Sequence, residues 1–307
     1  MGNNEAAIED YKRAIELQPD NANHYNARGI ALRSMGRYRE ALADYDQAIK
    51  LDEEDADPHI GKALAYNALR IYDLALESAD HAIEMQPNHA NSYNIRGIVL
   101  RNLGRFRDAL ADYNHASDLN PDDSDFYVGR TLALQALNRY ADALDSINTA
   151  LEMDNDNANL YYFRGLTFRL MNDLPEALAD LDVAVRMQPD DASNYNERGI
   201  IHRKMGNYDA ALTDYERAIT LKPNYADPYV GKAVVYDALG DYEMALEETT
   251  RAVEIHPHSA SVYNSRGVIL RKLKRFEEAM ADYDQAIELD ERYADPYVGK
   301  AVIYEGI

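Results

Sequence analysis

The sequence predicts an all-α solenoid built from 34-residue helix-turn-helix repeats. Three observations support this fold class: one small residue recurs nine times at multiples of 34, glycine and proline recur at fixed places, and apolar residues follow helical spacing. The small-residue column is Gly29, Ala63, Gly97, Thr131, Gly165, Gly199, Ala233, Gly267 and Ala301. Because 307/34 is about 9, the period extends over the whole chain.

Each repeat is predicted to contain two helices. The first helix ends at a breaker such as Gly36 or Gly104, and the second, for example Tyr38 to Leu51, ends before a proline such as Pro87. The first helix is expected to begin at a side chain that accepts a hydrogen bond from a free backbone amide. This predicted capping column is Asn23, Asp57, Asn91, Asp125, Asn159, Ser193, Asp227, Ser261 and Asp295.

Composition and charge exclude several classes of function. The chain has 32 basic and 54 acidic residues, so its net charge is 32 − 54 = −22, which disfavours nucleic acid as a partner. The absence of Cys excludes disulfides and thiolate metal sites. No apolar run is long enough to span a bilayer, and no signal peptide is visible. We therefore expect a cytoplasmic protein with no membrane partner.

The segment YNARGIALRSMGRYREALADYDQAIKLD resembles the tetratricopeptide repeat. The matching columns are Tyr25, Gly29, Leu32, Tyr38, Ala41, Tyr45 and Ala48. The resemblance covers essentially the entire chain, and departs from the family where Arg or Lys replaces the usual Leu. It implies a right-handed superhelical solenoid whose first helices line a concave groove. The groove positions differ from those of chaperone-docking relatives, so we do not expect binding of heat-shock chaperone tails.

The sequence also has a longer period of 5 × 34 = 170 residues, because repeats of two types occur twice in the same order. Gene duplication alone explains this pattern, and the alternative is a groove with two equivalent recognition zones. We expect a half repeat at 1–21 with the second helix only, eight full repeats at 22–293, and a half repeat at 294–307 with the first helix only. These ends indicate a fragment of a longer array, or ends that stack on another chain.

A basic column in the first helices is followed sixteen residues later by an aspartate in five repeats. The five combinations are Arg28 with Asp44, Arg96 with Asp112, Arg164 with Asp180, Arg198 with Asp214, and Arg266 with Asp282. We expect these pairs to join the two helices of each hairpin, since a guanidinium binds a carboxylate through two hydrogen bonds. The alternative is a basic track for a ligand.

Candidate binding residues lie on the first helices. By resemblance to the family, Asn26 and Arg33 lie on the concave side with Ile30 between them, and their spacing places all three on one helix face. Asparagine amides can hold an extended peptide backbone, and arginines favour carboxylates or phosphate. The alternative is that these residues only keep the groove soluble. The equivalent candidates are Asn94, Arg101, Arg169, Asn196, Arg203, Asn264 and Arg271.

One repeat departs from this pattern. Tyr162 stands where other repeats have Asn or Val, and Leu166 and Leu170 follow at four-residue spacing. An aromatic residue and two leucines on one exposed face predict an interaction hot spot. Sequence drift with local repacking is the alternative, because Leu174 and Leu181 replace the usual aromatic residues of this repeat.

No catalytic site, metal site or cofactor is predicted. None of the eight histidines has metal-ligand spacing, and no glycine-rich phosphate loop is present. The favoured interpretation is a non-enzymatic protein–protein interaction scaffold that binds a peptide segment or partner protein, with a preference for acidic groups. The alternatives are a self-assembling array that forms homo-oligomers, and a substrate-presenting region of a larger enzyme.

Overall fold

The computed structural model describes residues 4–306, which form eighteen α-helices with no strand among them. The second helices of the repeats are α1 (Asn4–Leu17), α3 (Tyr38–Leu51), α5 (Tyr72–Met85), α7 (Phe106–Leu119), α9 (Tyr140–Met153), α11 (Leu174–Met187), α13 (Tyr208–Leu221), α15 (Tyr242–Ile255) and α17 (Phe276–Leu289). The first helices are α2 (Ala22–Ser34), α4 (Asp57–Ala68), α6 (Ala90–Asn102), α8 (Ser124–Ala136), α10 (Ala158–Leu170), α12 (Ala192–Lys204), α14 (Ala226–Leu239), α16 (Ala260–Lys272) and α18 (Ala294–Gly306). The predicted all-α class of helix-turn-helix repeats is confirmed.

Most first helices begin one residue before the predicted capping column. α2 begins at Ala22, and the side chain of the preceding Asn21, whose backbone is extended, accepts a hydrogen bond of 3.1 Å from the Asn23 amide. Asp123 and Asp191 cap α8 and α12 in the same way. The predicted column was wrong because polar residues occupy both columns, and only the earlier one has the extended backbone that capping requires.

The chain divides into two compact units, Met1–Asn155 and Asp156–Ile307. The division falls where the 170-residue pattern starts again. In each unit, a second helix packs against its own first helix and against the first helix of the next repeat. Neighbouring first helices of a unit also contact one another, whereas no described second helix contacts the next second helix. First helices therefore line one side of each unit. The face that they turn away from the second helices is called the first-helix surface below.

Four buried tyrosines hold successive hairpins together. Tyr45 is fully buried between Gly29 of its own first helix and Gly61 of the next one. A Cβ atom would lie 2.6 Å from the ring at Gly29 and 2.4 Å from it at Gly61. The other three arrangements are Tyr113 with Gly97 and Gly129, Tyr215 with Gly199 and Gly231, and Tyr283 with Gly267 and Gly299. In these four hairpins glycine leaves the space that the tyrosine ring occupies.

The five predicted Arg–Asp pairs are confirmed. In the first, Arg28 donates to both carboxylate oxygens of Asp44 at 2.8 and 2.6 Å, and the other four pairs have similar geometry. Arg96 also donates to Asp80 of the preceding second helix at 2.7 Å, so this one guanidinium joins three helices. The alternative of a free basic track does not fit these residues, because their charges are already paired.

Gly129→Ala is expected to lower the free energy of unfolding by about 1–3 kcal/mol, the usual cost of overpacking a core. The added Cβ would lie 2.4 Å from Tyr113, whose ring is fully buried and has Gly97 on its other side. The measurement is urea unfolding followed by circular dichroism. Tyr113→Leu combined with Gly129→Ala should cost less than the sum of the single changes, since Leu181 accompanies Glu197 at the equivalent positions. Additive losses would contradict this explanation.

Candidate functional site

Four sets of polar side chains recur along the first-helix surface. Each set combines an asparagine and an arginine of a first helix with the buried tyrosine of the following second helix. These Asn–Arg–Tyr sets are Asn26, Arg33 and Tyr45; Asn94, Arg101 and Tyr113; Asn196, Arg203 and Tyr215; and Asn264, Arg271 and Tyr283. Two sets lie in each compact unit, so the structure places eight of the predicted site residues in four equivalent environments.

The asparagines of the four sets are buried and incompletely hydrogen bonded. Asn26 is 9% exposed and Asn196 only 2%. The side-chain oxygen of all four has no hydrogen-bond partner among the described residues. On the nitrogen side, Asn196 and Asn264 donate to the hydroxyls of Tyr225 and Tyr293, each at 3.1 Å. The alternative that these residues merely solubilise the surface does not fit, because a buried unpaired acceptor costs about 1–3 kcal/mol.

The arginines of the sets are half-buried and lack acidic partners. In each one the Nε atom is buried without a hydrogen-bond partner, and none of the four forms an ion pair with a described residue. Arg169, the fifth predicted arginine, differs because its Nε lies 3.2 Å from a carboxylate oxygen of Glu197. The four unpaired guanidiniums are notable in a chain with a net charge of −22.

The tyrosine hydroxyls of the sets are also buried without a hydrogen-bond partner of good geometry among the described residues. Burial raises the pKa of all four tyrosines, and raises the pKa of Tyr113 to about 12. The arginine of the same set lies beside each hydroxyl and opposes this rise in pKa. Each set thus presents an acceptor, a cation and a neutral hydroxyl, and the hydrogen-bonding capacity of all three is incompletely used.

An apolar column runs between the asparagines and the arginines. Every member is aliphatic and at least partly exposed, and Ile30 is 47% exposed. The column is Ile30, Leu64, Ile98, Leu132, Leu166, Ile200, Val234, Val268 and Val302. Sequence reasoning singled out only Ile30 and Leu166, although the aliphatic character of all nine positions was visible at the 34-residue period. The first-helix surface therefore offers apolar contact beside the polar sets.

The repeat with Tyr162 has a different environment from the one predicted. Leu170 is 39% exposed, but Tyr162 and Leu166 are half-buried. The Tyr162 ring packs against the buried cluster that includes Leu181 and Ile201. The predicted face is therefore only partly exposed, because Leu181 replaces the large tyrosine of other repeats and Tyr162 packs against the cluster that contains it.

The remaining chemistry of the described residues is limited. Residues 4–306 contain no group of three or more His, Asp or Glu side chains arranged to hold a metal ion. None of the helices in this range has the length and apolar character needed to cross a bilayer.

Stacked helix hairpins with a recurring set of side chains on one surface define the class of helical-repeat proteins. Tetratricopeptide repeat models match residues 1–32, 29–69, 79–111, 130–192, 170–234, 226–259 and 260–293. The chain belongs to the tetratricopeptide repeat family. Comparison with curated proteins gives no match.

Solved structures share the fold at low sequence identity. A chain of the Cut9–Hcn1 hetero-tetramer of the APC/C has a TM-score of 0.68 and 15% identity over 95% of this chain, which spans 58% of that chain's length. A tetratricopeptide repeat protein from Parabacteroides merdae has a TM-score of 0.66 and 20% identity, with 80% of this chain and 97% of that one covered. Human IFIT1, solved as a dimer with m7Gppp-AAAA, has a TM-score of 0.69 and 18% identity, with 97% and 76% covered.

Asn94→Leu is expected to leave the urea midpoint unchanged or to raise it. The substitution removes an acceptor that is buried without a partner, so the cost of that group disappears. Asn194→Leu is the control, because Asn194 is also buried but donates to the Ala184 carbonyl at 3.4 Å, and this variant should be less stable. A loss of stability in Asn94→Leu as large as in Asn194→Leu would contradict the assignment of an unpaired acceptor.

Raising the pH above about 10 is expected to lower the free energy of unfolding. Tyr113 and Tyr162 have a pKa of about 12 in the folded chain, against an ordinary value of 10.0. The stability that these tyrosines contribute is therefore fully present below pH 10 and is lost as the pH rises towards 12. Urea unfolding at successive pH values measures the loss, and Tyr113→Phe should reduce its slope. A wild-type stability that stays constant across this range would contradict the raised pKa values.

Proposed function

We propose that the first-helix surface binds an extended, acidic peptide segment of a partner protein. The observation that carries this proposal is the fourfold recurrence of a buried, unpaired asparagine oxygen beside an arginine without an acidic partner. Membership of the tetratricopeptide repeat family supports the broader role of a protein-interaction scaffold.

The chemistry of each Asn–Arg–Tyr set complements a peptide. The asparagine oxygen accepts a hydrogen bond from a backbone amide of the segment, whatever its side chain. The arginine donates to a carboxylate, and such charge-assisted hydrogen bonds are about twice as strong as neutral ones. The aliphatic column lies between these groups and contacts apolar side chains of the same segment.

The spacing of the sets gives the length of the segment. The two sets of each unit are two repeats apart, so that their first helices are separated by about 16–20 Å if neighbouring helices pack at about 8–10 Å. An extended chain rises about 3.3 Å per residue, so about five or six residues connect two sets. A peptide of about twelve residues therefore reaches both sets of one unit with residues to spare at each end.

The charge distribution favours a polypeptide over nucleic acid. Tetratricopeptide-like folds accommodate different ligands, since human IFIT1 was solved with m7Gppp-AAAA. The present chain has a net charge of −22, and the arginines of the five Arg–Asp pairs are engaged by aspartates. Only contacts within the Debye length of about 8 Å escape screening at physiological salt. Isolated arginines can thus select carboxylates locally, while a long polyphosphate chain is repelled.

The test is panning of a phage-displayed library of random 12-residue peptides against the 307-residue chain. The enriched peptides are then synthesised and their binding is measured by fluorescence anisotropy. We expect enrichment of Asp and Glu, and a loss of affinity of about tenfold or more in Asn94→Ala with Arg101→Ala, because hydrogen bonds to charged groups contribute about 1.5–3 kcal/mol.

Arg107→Ala is the control, because this arginine is exposed on the second helix of the same repeat and its removal changes the net charge equally. We expect it to leave the affinity essentially unchanged. The proposal fails if panning enriches no peptides, if the enriched peptides lack acidic residues, or if they bind the Asn94 and Arg101 variant as tightly as the wild type.

A further inference from the structure

Glu197 is the only charged residue in its column of the repeat. The column is Ala27, Gly61, Ile95, Gly129, Phe163, Glu197, Gly231, Ser265 and Gly299. In four repeats glycine stands there against the ring of the tyrosine that precedes it by sixteen residues. Leu181 replaces that tyrosine before Glu197, so the smaller leucine and the larger glutamate occur together. The repeat therefore differs from the others by a linked exchange at two positions.

The presence of Glu197 changes the charge of the first-helix surface in this repeat, compared with the repeats whose arginine has no acidic partner. The Glu197 carboxylate lies 3.2 Å from Arg169, which stands at the position of the unpaired arginines in other repeats. The Glu197 side chain is only 14% exposed; burial raises its pKa, and Arg169 opposes that rise. Asp191 and Asp227 lie nearby, and like Glu197 they raise the pKa of the neighbouring tyrosines, Tyr162 and Tyr225. Three carboxylates and one guanidinium thus lie around these two tyrosines, so acidic groups outnumber basic ones there.

Two tyrosines and a buried asparagine complete this environment. Asn196 is 2% exposed, its oxygen has no partner, and its nitrogen donates to the Tyr225 hydroxyl at 3.1 Å. This hydrogen bond fixes the Asn196 amide beside the Tyr225 hydroxyl. Burial and the three carboxylates raise the pKa of both Tyr162 and Tyr225, to about 12 for Tyr162, so both hydroxyls stay neutral near pH 7.

We infer that Tyr162, Asn196, Glu197 and Tyr225, here called the Tyr162 subsite, bind the guanidinium of an arginine side chain in the ligand. The inference rests on the proposed function, because that arginine would belong to the same peptide whose acidic groups contact the Asn–Arg–Tyr sets. A guanidinium has five donors in a plane, which fit the Asn196 oxygen and the Glu197 carboxylate, and flat faces that stack on tyrosine rings. The subsite thus gives the second unit a preference for a basic residue amid acidic ones.

The experiment measures the binding of Nα-acetyl-arginine amide and of its neutral isostere, Nα-acetyl-citrulline amide, to the full chain by NMR titration. We expect the arginine probe to bind about tenfold more tightly than the citrulline probe, because only arginine makes charge-assisted hydrogen bonds. This difference should disappear in Glu197→Gln. It should also disappear in Leu181→Tyr with Glu197→Gly, which restores the tyrosine and glycine of four other repeats and is therefore expected to fold.

Glu243→Gln is the matched control, because it removes an exposed carboxylate of α15 and changes the net charge equally. We expect it to keep the preference for arginine. If both Glu197 variants bind the arginine probe as tightly as the wild type does, the attraction is a general effect of the acidic chain and the subsite is refuted. The probes carry no acidic group, so a chain that selects acidic peptides but shows no Glu197-dependent arginine binding refutes the subsite alone.

Discussion

The contact of one tyrosine ring with two glycines constrains most of the remaining structure. Tyr45 and its three equivalents each occupy the space that a Cβ atom would take on two successive first helices. The ring therefore sets how closely one hairpin approaches the next. It also places its hydroxyl at the base of the first-helix surface, beside an asparagine and an arginine. The packing contact and the proposed binding chemistry thus share the same residue in four repeats.

The polar sets carry a cost in stability. A buried acceptor without a partner is unfavourable in the isolated chain, and this chain contains four in equivalent positions. Duplication of the repeats copies such a residue at fixed spacing, and all four copies have retained it. Residues that lower stability at a regular interval are typical of surfaces where a ligand completes the hydrogen bonds.

The 34-residue period was sufficient to predict the helices, the hairpin order and the Arg–Asp pairs, because each depends on spacing along the chain. The capping residue was missed because two columns that lie two residues apart are both largely polar, and only backbone geometry distinguishes Asn21 from Asn23. The burial of Asn26 could not be read from helix spacing, since it depends on the neighbouring first helix. The pairing of Arg169 with Glu197 was missed because it joins residues of consecutive repeats, although Glu197 stands out in its column.

Arg96 and Arg198, which each bind an aspartate of their own hairpin and one of the hairpin before it, have a consequence for how the array melts. In helical-repeat proteins, stability is approximately a sum of intrinsic repeat terms and nearest-neighbour interface terms. A guanidinium shared between two neighbours belongs to the interface term. Fraying of the hairpin that carries the guanidinium therefore leaves the aspartate of the preceding hairpin without its ion-pair partner, so the opening of one hairpin weakens its neighbour.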